Sequence, residues 1–276
     1  MLRAIDSLQR GVARSALVSS RDSGRTPGYA LVTGASRGLG KVFARMLASK
    51  RRHVVLVARS ADRLAALGDE LHNSYGVRVL PFALDLSVPG AAQNLASQLE
   101  ERAIHINLLV NNAGFGARGR FASYPEEQCV AMMGLNNGSV VELTRYLLPA
   151  MIAAGRGGII NVASTAGFQP MPNAALYAAT KSFLITFSLG LAEELRPCGI
   201  SVVTLCPGRL KPESATGNER FPWAYSAHTV VAREALRQIE RGGGLVIPGA
   251  LNKFGVVVQR AIPRRVIPRL AELLSR

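Results

Sequence analysis

The 276-residue sequence predicts a doubly wound α/β domain, a parallel sheet of about seven strands with helices on both faces. Three observations predict it. From Tyr29 onward, short apolar runs alternate with helix-length periodic segments, the pattern of strands buried on both faces and joined by crossover helices. The first run leads straight into a glycine-rich turn that opens a helix. Hydrophobic residues make up 48% of the chain, enough to bury the core of one large domain.

In chain order, strands are expected at 30–33, 54–58, 77–83, 106–111, 158–162, 200–206 and 245–248, with helices between them. The first, Ala-Leu-Val-Thr, delivers the chain to the glycine turn. The second, Val-Val-Leu-Val-Ala, is uniformly apolar, as a central strand must be. The fourth ends in Asn111-Asn112-Ala113-Gly114, and the fifth leads to Ser164. In such a sheet the ligand site lies beyond the carboxyl ends of the strands. This divides the chain into an N-terminal extension (1–28), one catalytic domain (29–250) and a basic C-terminal extension (251–276). Two regions break the rhythm, the tail after Gly249 and the segment 208–228 with Pro212, Pro222 and Trp223. The part at 209–228 stands where a substrate-covering loop forms, or it is a passive surface excursion.

The formal charge is +15, from 33 basic and 18 acidic residues. The two ends carry a disproportionate share: residues 1–29 have five Arg and two Asp, and residues 251–276 have six Lys or Arg and one Glu. A nucleic-acid partner is not expected, because 6% aromatic content offers few stacking platforms and no recognised binding motif appears. The tail Phe254-Gly255-Val256-Val257-Val258, followed by Arg260, Arg264, Arg265 and Arg269, mixes apolar and cationic groups as peripheral membrane segments do, although Pro263 and Pro268 interrupt any single helix. A solvated extension packed over the cleft is the plainer reading. Cys129, Cys198 and Cys206 are odd in number, and the four histidines are scattered, so neither a disulfide framework nor a metal site is expected. No uninterrupted apolar run reaches the ~18 residues of a membrane-spanning helix. Residues 1–28, with Leu2, Ile5, Leu8 and Val12 at helical spacing, read as a transit-like peptide, an amphipathic surface helix or a plain extension. A cytoplasmic or membrane-peripheral location is expected, with organelle targeting the alternative.

The chemistry is carried by four motifs. Gly34-Ala35-Ser36-Arg37-Gly38-Leu39-Gly40 places three glycines at a strand-to-helix turn, where backbone N–H groups and the positive end of a helix dipole attract a pyrophosphate. The same residues match a hydrolase nucleophile elbow at Ser36, but an elbow normally follows several strands and this turn follows the first. After the second strand, where NAD-specific sites carry an acid for the ribose, the sequence reads Ala58-Arg59-Ser60. Arg59 and Arg37 instead offer cations to a 2′-phosphate, which favours NADP(H). Tyr177 and Lys181 are four apart on one helix face, so the ammonium is expected to lower the phenol's pKa. Ser164 is placed to hydrogen-bond a substrate oxygen beside that phenol.

With these motifs in this order, the chain resembles the short-chain dehydrogenase/reductase family over about residues 29–250. The resemblance implies a Rossmann-like fold and hydride transfer between NADP(H) and a carbonyl or alcohol substrate. By it, Asn136, Ser164, Tyr177 and Lys181 are catalytic, Asn136 holding a water that links Lys181 to solvent. Gly34, Ser36, Arg37, Gly38, Leu39, Gly40, Arg59, Asp85, Leu86, Asn112, Ala113, Gly114, Tyr177, Lys181, Pro207 and Gly208 hold the cofactor, with Asp85 and Leu86 at the adenine. Its members often form dimers or tetramers through the helices carrying Asn136 and Tyr177. The expected substrate is a small molecule, a hydrophobic ketone or aldehyde. One position departs from the pattern: Pro212 stands where the family usually has a threonine, which puts cofactor affinity in question. The alternative is a catalytically weak NADP(H)-binding protein that acts through its basic ends on a membrane surface or partner.

Overall fold

The computed structural model describes residues 28–211, 225–261 and 265–268. The strands are β1 (Tyr29–Thr33), β2 (Val54–Ala58), β3 (Val79–Ala83), β4 (Ile106–Asn111), β5 (Gly157–Val162), β6 (Ile200–Leu205), β7 (Arg209–Leu210), β8 (Tyr225–Ser226) and β9 (Gly243–Val246). The helices are α1 (Gly38–Ser49), α2 (Ala61–Tyr75), α3 (Ala91–Glu101), α4 (Glu126–Met133), α5 (Ser139–Ala153), α6 (Ala175–Leu195), α7 (His228–Glu240) and α8 (Ala250–Ala261). Seven strands form one sheet in the order β3-β2-β1-β4-β5-β6-β9, every pair parallel. β7 and β8 make a separate two-stranded ladder.

Alternation along the strands sorts the core into two layers. Ala30, Val32, Leu56, Val110 and Val203 face one way and pack with Phe43 and Leu47 of α1, Leu64 and Leu71 of α2, and Val231 and Leu236 of α7. Leu31, Val55, Val57, Leu109, Ile159 and Val202 face the other way, toward Leu95 and Leu99 of α3, Leu143 and Met151 of α5, and Leu195 of α6. Each large side chain so buried contributes about 1.5–3 kcal/mol through area removed from water. α2 ends where Gly76 turns left-handed at φ +62 and returns its N–H to the His72 carbonyl. Helix α6, extended to Cys198, has the length and hydropathy of a membrane span, yet Ala178, Leu184, Ile185, Ser188 and Leu195 are buried in the domain.

Several expected boundaries move, those of the first and fifth strands by one residue, to Tyr29 and Gly157. The last strand begins at Gly243 and ends at Val246, because it pairs Gly243 with Val202 so closely that a Cβ at 243 would run into the Val202 carbonyl. The third begins at Val79 and the sixth ends at Leu205. The irregular segment after β6 is entered by β7 and left by β8, and His228 already belongs to α7. Residues 1–27 and Pro212 lie outside the described residues.

The chain winds from β1 through β2 to β3 in one direction, then crosses to β4 on the other side of β1. The carboxyl ends of β1 and β4 therefore flank the point where strand order reverses, the crevice in which such sheets bind ligands.

Candidate active site

The reversal point is tied together by one residue. Thr33, at the end of β1, accepts the N–H groups of Asn112 and Ala113 on its hydroxyl, both at 2.9 Å, and donates to the Val110 carbonyl at 3.3 Å. Asn112 returns its amide to the Thr33 carbonyl at 2.9 Å. The glycine turn and the Asn112-Ala113-Gly114 turn are thus held as one wall. Motif spacing picks out both turns but not Thr33, whose buried hydroxyl is informative only once β1 and β4 are neighbours.

Within the glycine turn each glycine has a separate reason. Gly34 and Gly38 adopt φ +65 and +55, strained for any L side chain. A Cβ at Gly34 would come within 3.0 Å of the Ala113 backbone, and one at Gly40 would collide with the Gly34 carbonyl, pushing α1 off β1. Helix α1 has no acidic residue in its first turn, and Arg37 at its N-cap makes no capping side-chain bond. Arg37 and Arg59 are both exposed on this rim. Arg59 lies 3.8 Å from Asp85, whose other oxygen takes the Ser87 N–H at 3.0 Å and hydroxyl at 2.7 Å. Burial pushes the Asp85 carboxyl upward, but the two Ser87 bonds and Arg59 outweigh it and hold the group below its ordinary value. Leu86 is buried beside it. A glycine cradle at a helix start, two cations and no acid at the end of β2 fit a dinucleotide bearing a 2′-phosphate.

The four expected catalytic residues converge beyond β4, β5 and β6. Lys181 is buried and donates to the Val162 carbonyl at 2.8 Å, its ammonium 5.8 Å from the centre of the Tyr177 ring. Ser164 follows β5 rather than closing it; its hydroxyl caps the turn Thr165–Phe168 by accepting the Ala166 N–H at 3.1 Å, donates to the Pro207 carbonyl at 3.5 Å, and lies near enough to Tyr177 to act on its phenol. Thr165 donates to the Pro207 carbonyl at 2.9 Å, which joins the ends of β5 and β6 and fixes Pro207-Gly208 beside the site. A Cβ on Gly114 would sit 2.9 Å from Asn136 Oδ1 and 3.6 Å from Lys181 Nζ, so the Gly114 backbone forms part of the same wall.

Asn136 does not lie on a regular helix. Residues Gly134–Gly138 form a π-helical turn between α4 and α5, and it carries Asn136 fully buried. Its Oδ1 accepts the Phe115 N–H at 3.0 Å; its Nδ2 donates to the Phe115 carbonyl at 2.9 Å and the Thr180 hydroxyl at 3.0 Å. Asn137 reaches the Thr180 carbonyl at 2.9 Å, which separates the roles of the two neighbours. With its amide so occupied, Asn136 fastens the β4 loop to α6.

The expected lowering of the phenol's pKa is corrected. Burial pushes Tyr177 above its ordinary value, with the Ser164 hydroxyl opposing, and pulls the Lys181 ammonium down to about 8, with Cys206 opposing. Both groups favour their neutral forms because each is withdrawn from water without an adjoining full opposite charge. Burial likewise pushes the Cys206 thiol up to about 12. Three further positions escape motif reading: Thr180, which receives Asn136; Gly116, whose Cβ would stand 2.8 Å from the Tyr177 ring; and Gly167, whose Cβ would press on the Lys181 backbone at 2.7 Å.

Comparison with known proteins gives the family. Residues 28–222 match the family described as short chain dehydrogenase, and the chain belongs to that family. It is 38% identical over 178 residues to a very-long-chain 3-oxoacyl-CoA reductase of Laccaria bicolor, covering 63% of this chain and 52% of that protein. It is 37% identical over 180 residues to the NADP-dependent 3-hydroxy acid dehydrogenase YdfG of Salmonella typhimurium, covering 64% and 71%. A short-chain dehydrogenase from Sphingobium yanoikuyae, solved in complex with NADPH, superposes with a TM-score of 0.75 at 29% identity over 85% of this chain and 93% of that one. The match thus spans about half the length of the fungal reductase and nearly all of the bacterial structure.

Proposed function

We propose that this chain is an NADP(H)-dependent oxidoreductase that interconverts a carbonyl and an alcohol, with a hydrophobic ketone or aldehyde as substrate. The observation that carries the reading is the convergence of Ser164, Tyr177 and buried Lys181 beside a glycine turn flanked by Arg37 and Arg59. Gly34, Ser36, Gly38, Leu39 and Gly40 would hold the pyrophosphate, and Arg37 and Arg59 the 2′-phosphate. Asp85 and Leu86 would flank the adenine, and Asn112 to Gly114 with Pro207-Gly208 would line the remainder. The bound cofactor supplies or accepts hydride at the substrate carbon.

In the reductive direction, Ser164 orients the substrate oxygen and Tyr177 gives it a proton. A phenol held neutral is the required form for that donation, and Lys181, free to gain or lose a proton near pH 8, is the neighbour suited to replenish it. Asn136 keeps the loop at Phe115 and helix α6 in register so that the phenol stays aligned. The names of the two curated relatives make 3-oxoacyl and 3-hydroxyacyl compounds the first substrates to try. The weakly catalytic alternative is not favoured, because all four residues are present and assembled.

A homo-oligomer is part of the same reading. Tyr146 of α5 and Phe183 and Leu189 of α6 are 42, 44 and 40% exposed, with Phe183 stacked on Phe187. These are the helices through which a second copy would pack.

The deciding experiment is equilibrium binding of NADPH and NADH to the wild type and Arg59→Ala. NADPH preference that falls by at least about tenfold in the variant supports the reading. Absence of binding by either nucleotide overturns it.

A further inference from the structure

Among the described residues, one side of helix α8 is left exposed. Leu251, Phe254, Val257 and Val258 recur at three- and four-residue spacing, which places them in one stripe, and they are 65, 68, 64 and 40% exposed. The opposite side anchors the helix. Val256 is 3% exposed, and the Asn252 side chain fills the space into which a Cβ on Gly208 would project while donating to the Pro248 carbonyl at 2.7 Å. The helix also lies against the turn Thr165–Phe168 that follows Ser164. Just beyond it, Val266 is 38% exposed and Ile267 is buried.

Charge identifies the partner. Lys253 on the helix and Arg265 just past its end are both exposed, and residues 251–276 contain six basic residues against a single acid. The exposed apolar face on α5 and α6 has a different character: α6 carries Glu193, paired with Arg196 at 2.9 Å, and Glu194, and α5 carries Glu142 and Arg145, a mixed surface suited to another protein. An apolar stripe on a segment whose described charged residues, Lys253 and Arg265, are cations is suited to the headgroup region of an anionic bilayer.

We propose that the outer face of α8 docks on an anionic lipid surface, with Leu251, Phe254, Val257 and Val258 entering the interface and Lys253 and Arg265 meeting phosphate headgroups. Because α8 is anchored at Gly208 and beside the turn after Ser164, docking sets the active site next to the lipid. A hydrophobic carbonyl compound dissolved in that lipid would then be presented at high local concentration. This last consequence rests on the reductase reading; the docking itself does not.

The test is co-sedimentation of the full chain with vesicles of phosphatidylcholine alone and of phosphatidylcholine mixed with phosphatidylglycerol, at low and high salt. The wild type should bind the mixed vesicles at least about tenfold more tightly than the neutral ones, and lose most of that preference at high salt. Leu251→Ser with Phe254→Ser, both on exposed positions, should reduce binding at least about tenfold with the thermal midpoint unchanged. Lys253→Glu with Arg265→Glu should abolish the preference for phosphatidylglycerol. Failure of the wild type to bind the mixed vesicles overturns the proposal, as does a serine double variant that binds equally well. Self-association lost in the serine variant, without vesicle binding, would assign the stripe to a second copy and also overturn it. NADPH binding, measured in parallel, reports separately on the reductase reading.

Discussion

At the scale of single residues, the site works by withholding charge from water. The folded chain lets Lys181 lose its proton near pH 8, whereas an unfolded lysine does so near ~10.4. Between those values the unfolded chain binds more protons, so this group makes the cofactor-free protein more stable as pH rises through that window. Below about pH 8 the whole penalty of burying the ammonium is present. Lys181→Met should therefore stabilise the cofactor-free chain at pH 7 by on the order of 1–3 kcal/mol while removing activity, a site residue kept at a cost in stability. Urea midpoints at pH 7 and pH 9.5 read this out. An advantage that does not shrink at the higher pH would trace the gain to packing and not to charge. Tyr177→Phe, in turn, should leave NADPH affinity within about twofold of wild type and lower kcat by roughly 10²–10⁴-fold, since the proton donor is lost while the binding surface stays.

At the scale of elements, the π-helical turn at Gly134–Gly138 and the loop at Gly114–Gly116 act as a pair. The extra residue in the turn rotates Asn136 into the core, where its amide holds both backbone groups of Phe115 and the Thr180 hydroxyl. Asn136→Ala would strand both Phe115 backbone groups and leave the Thr180 hydroxyl with only the Tyr177 carbonyl, and the expected loss of about 2–4 kcal/mol should appear in thermal or urea unfolding together with reduced kcat. Gly116→Ala makes the complementary case. Its new methyl would press on the Tyr177 ring and not on the core, so kcat should fall on the order of 10²-fold while the thermal midpoint barely moves. A large fall in the midpoint with kcat retained would show that the loop yields and the ring does not.

At the scale of the whole molecule, the exposed apolar surfaces on α5 with α6 and on α8 have different prospects. The α5 and α6 face, exposing Tyr146, Phe183 and Leu189 among mixed charges, should pair with a second copy. Light scattering on the purified chain should then give a multiple of its 29.4 kDa mass, and Phe183→Asp should shift it toward a single chain. A monomer at all concentrations tested would remove that pairing. The α8 face, bordered by cations, is left for lipid. A buried polar row stiffens the sheet between these surfaces: Asn111 on β4 donates to Asn161 on β5 at 2.9 Å, and Asn161 donates to Ser188 on α6 at 2.9 Å. It fixes the strand register just beneath the site.

The sequence by itself determined the fold class, the order of motifs and the identity of most groups at the site. Strand and helix periodicities, glycines at a strand-to-helix turn and a tyrosine four residues before a lysine are local signals, legible within a few residues of chain. Tertiary structure decided whatever depends on residues distant in sequence. Thr33 matters because β1 lies beside β4, and Gly116 because its loop crosses the Tyr177 ring. Thr180 matters because the π-helical turn aims Asn136 at α6. The direction of the Tyr177 shift belongs here too: spacing alone promised an ammonium that lowers the phenol's pKa, but burial of both groups outweighs their separation along one helix. Spacing along a chain says which groups can meet, whereas the water removed when they meet is a property of the packed fold.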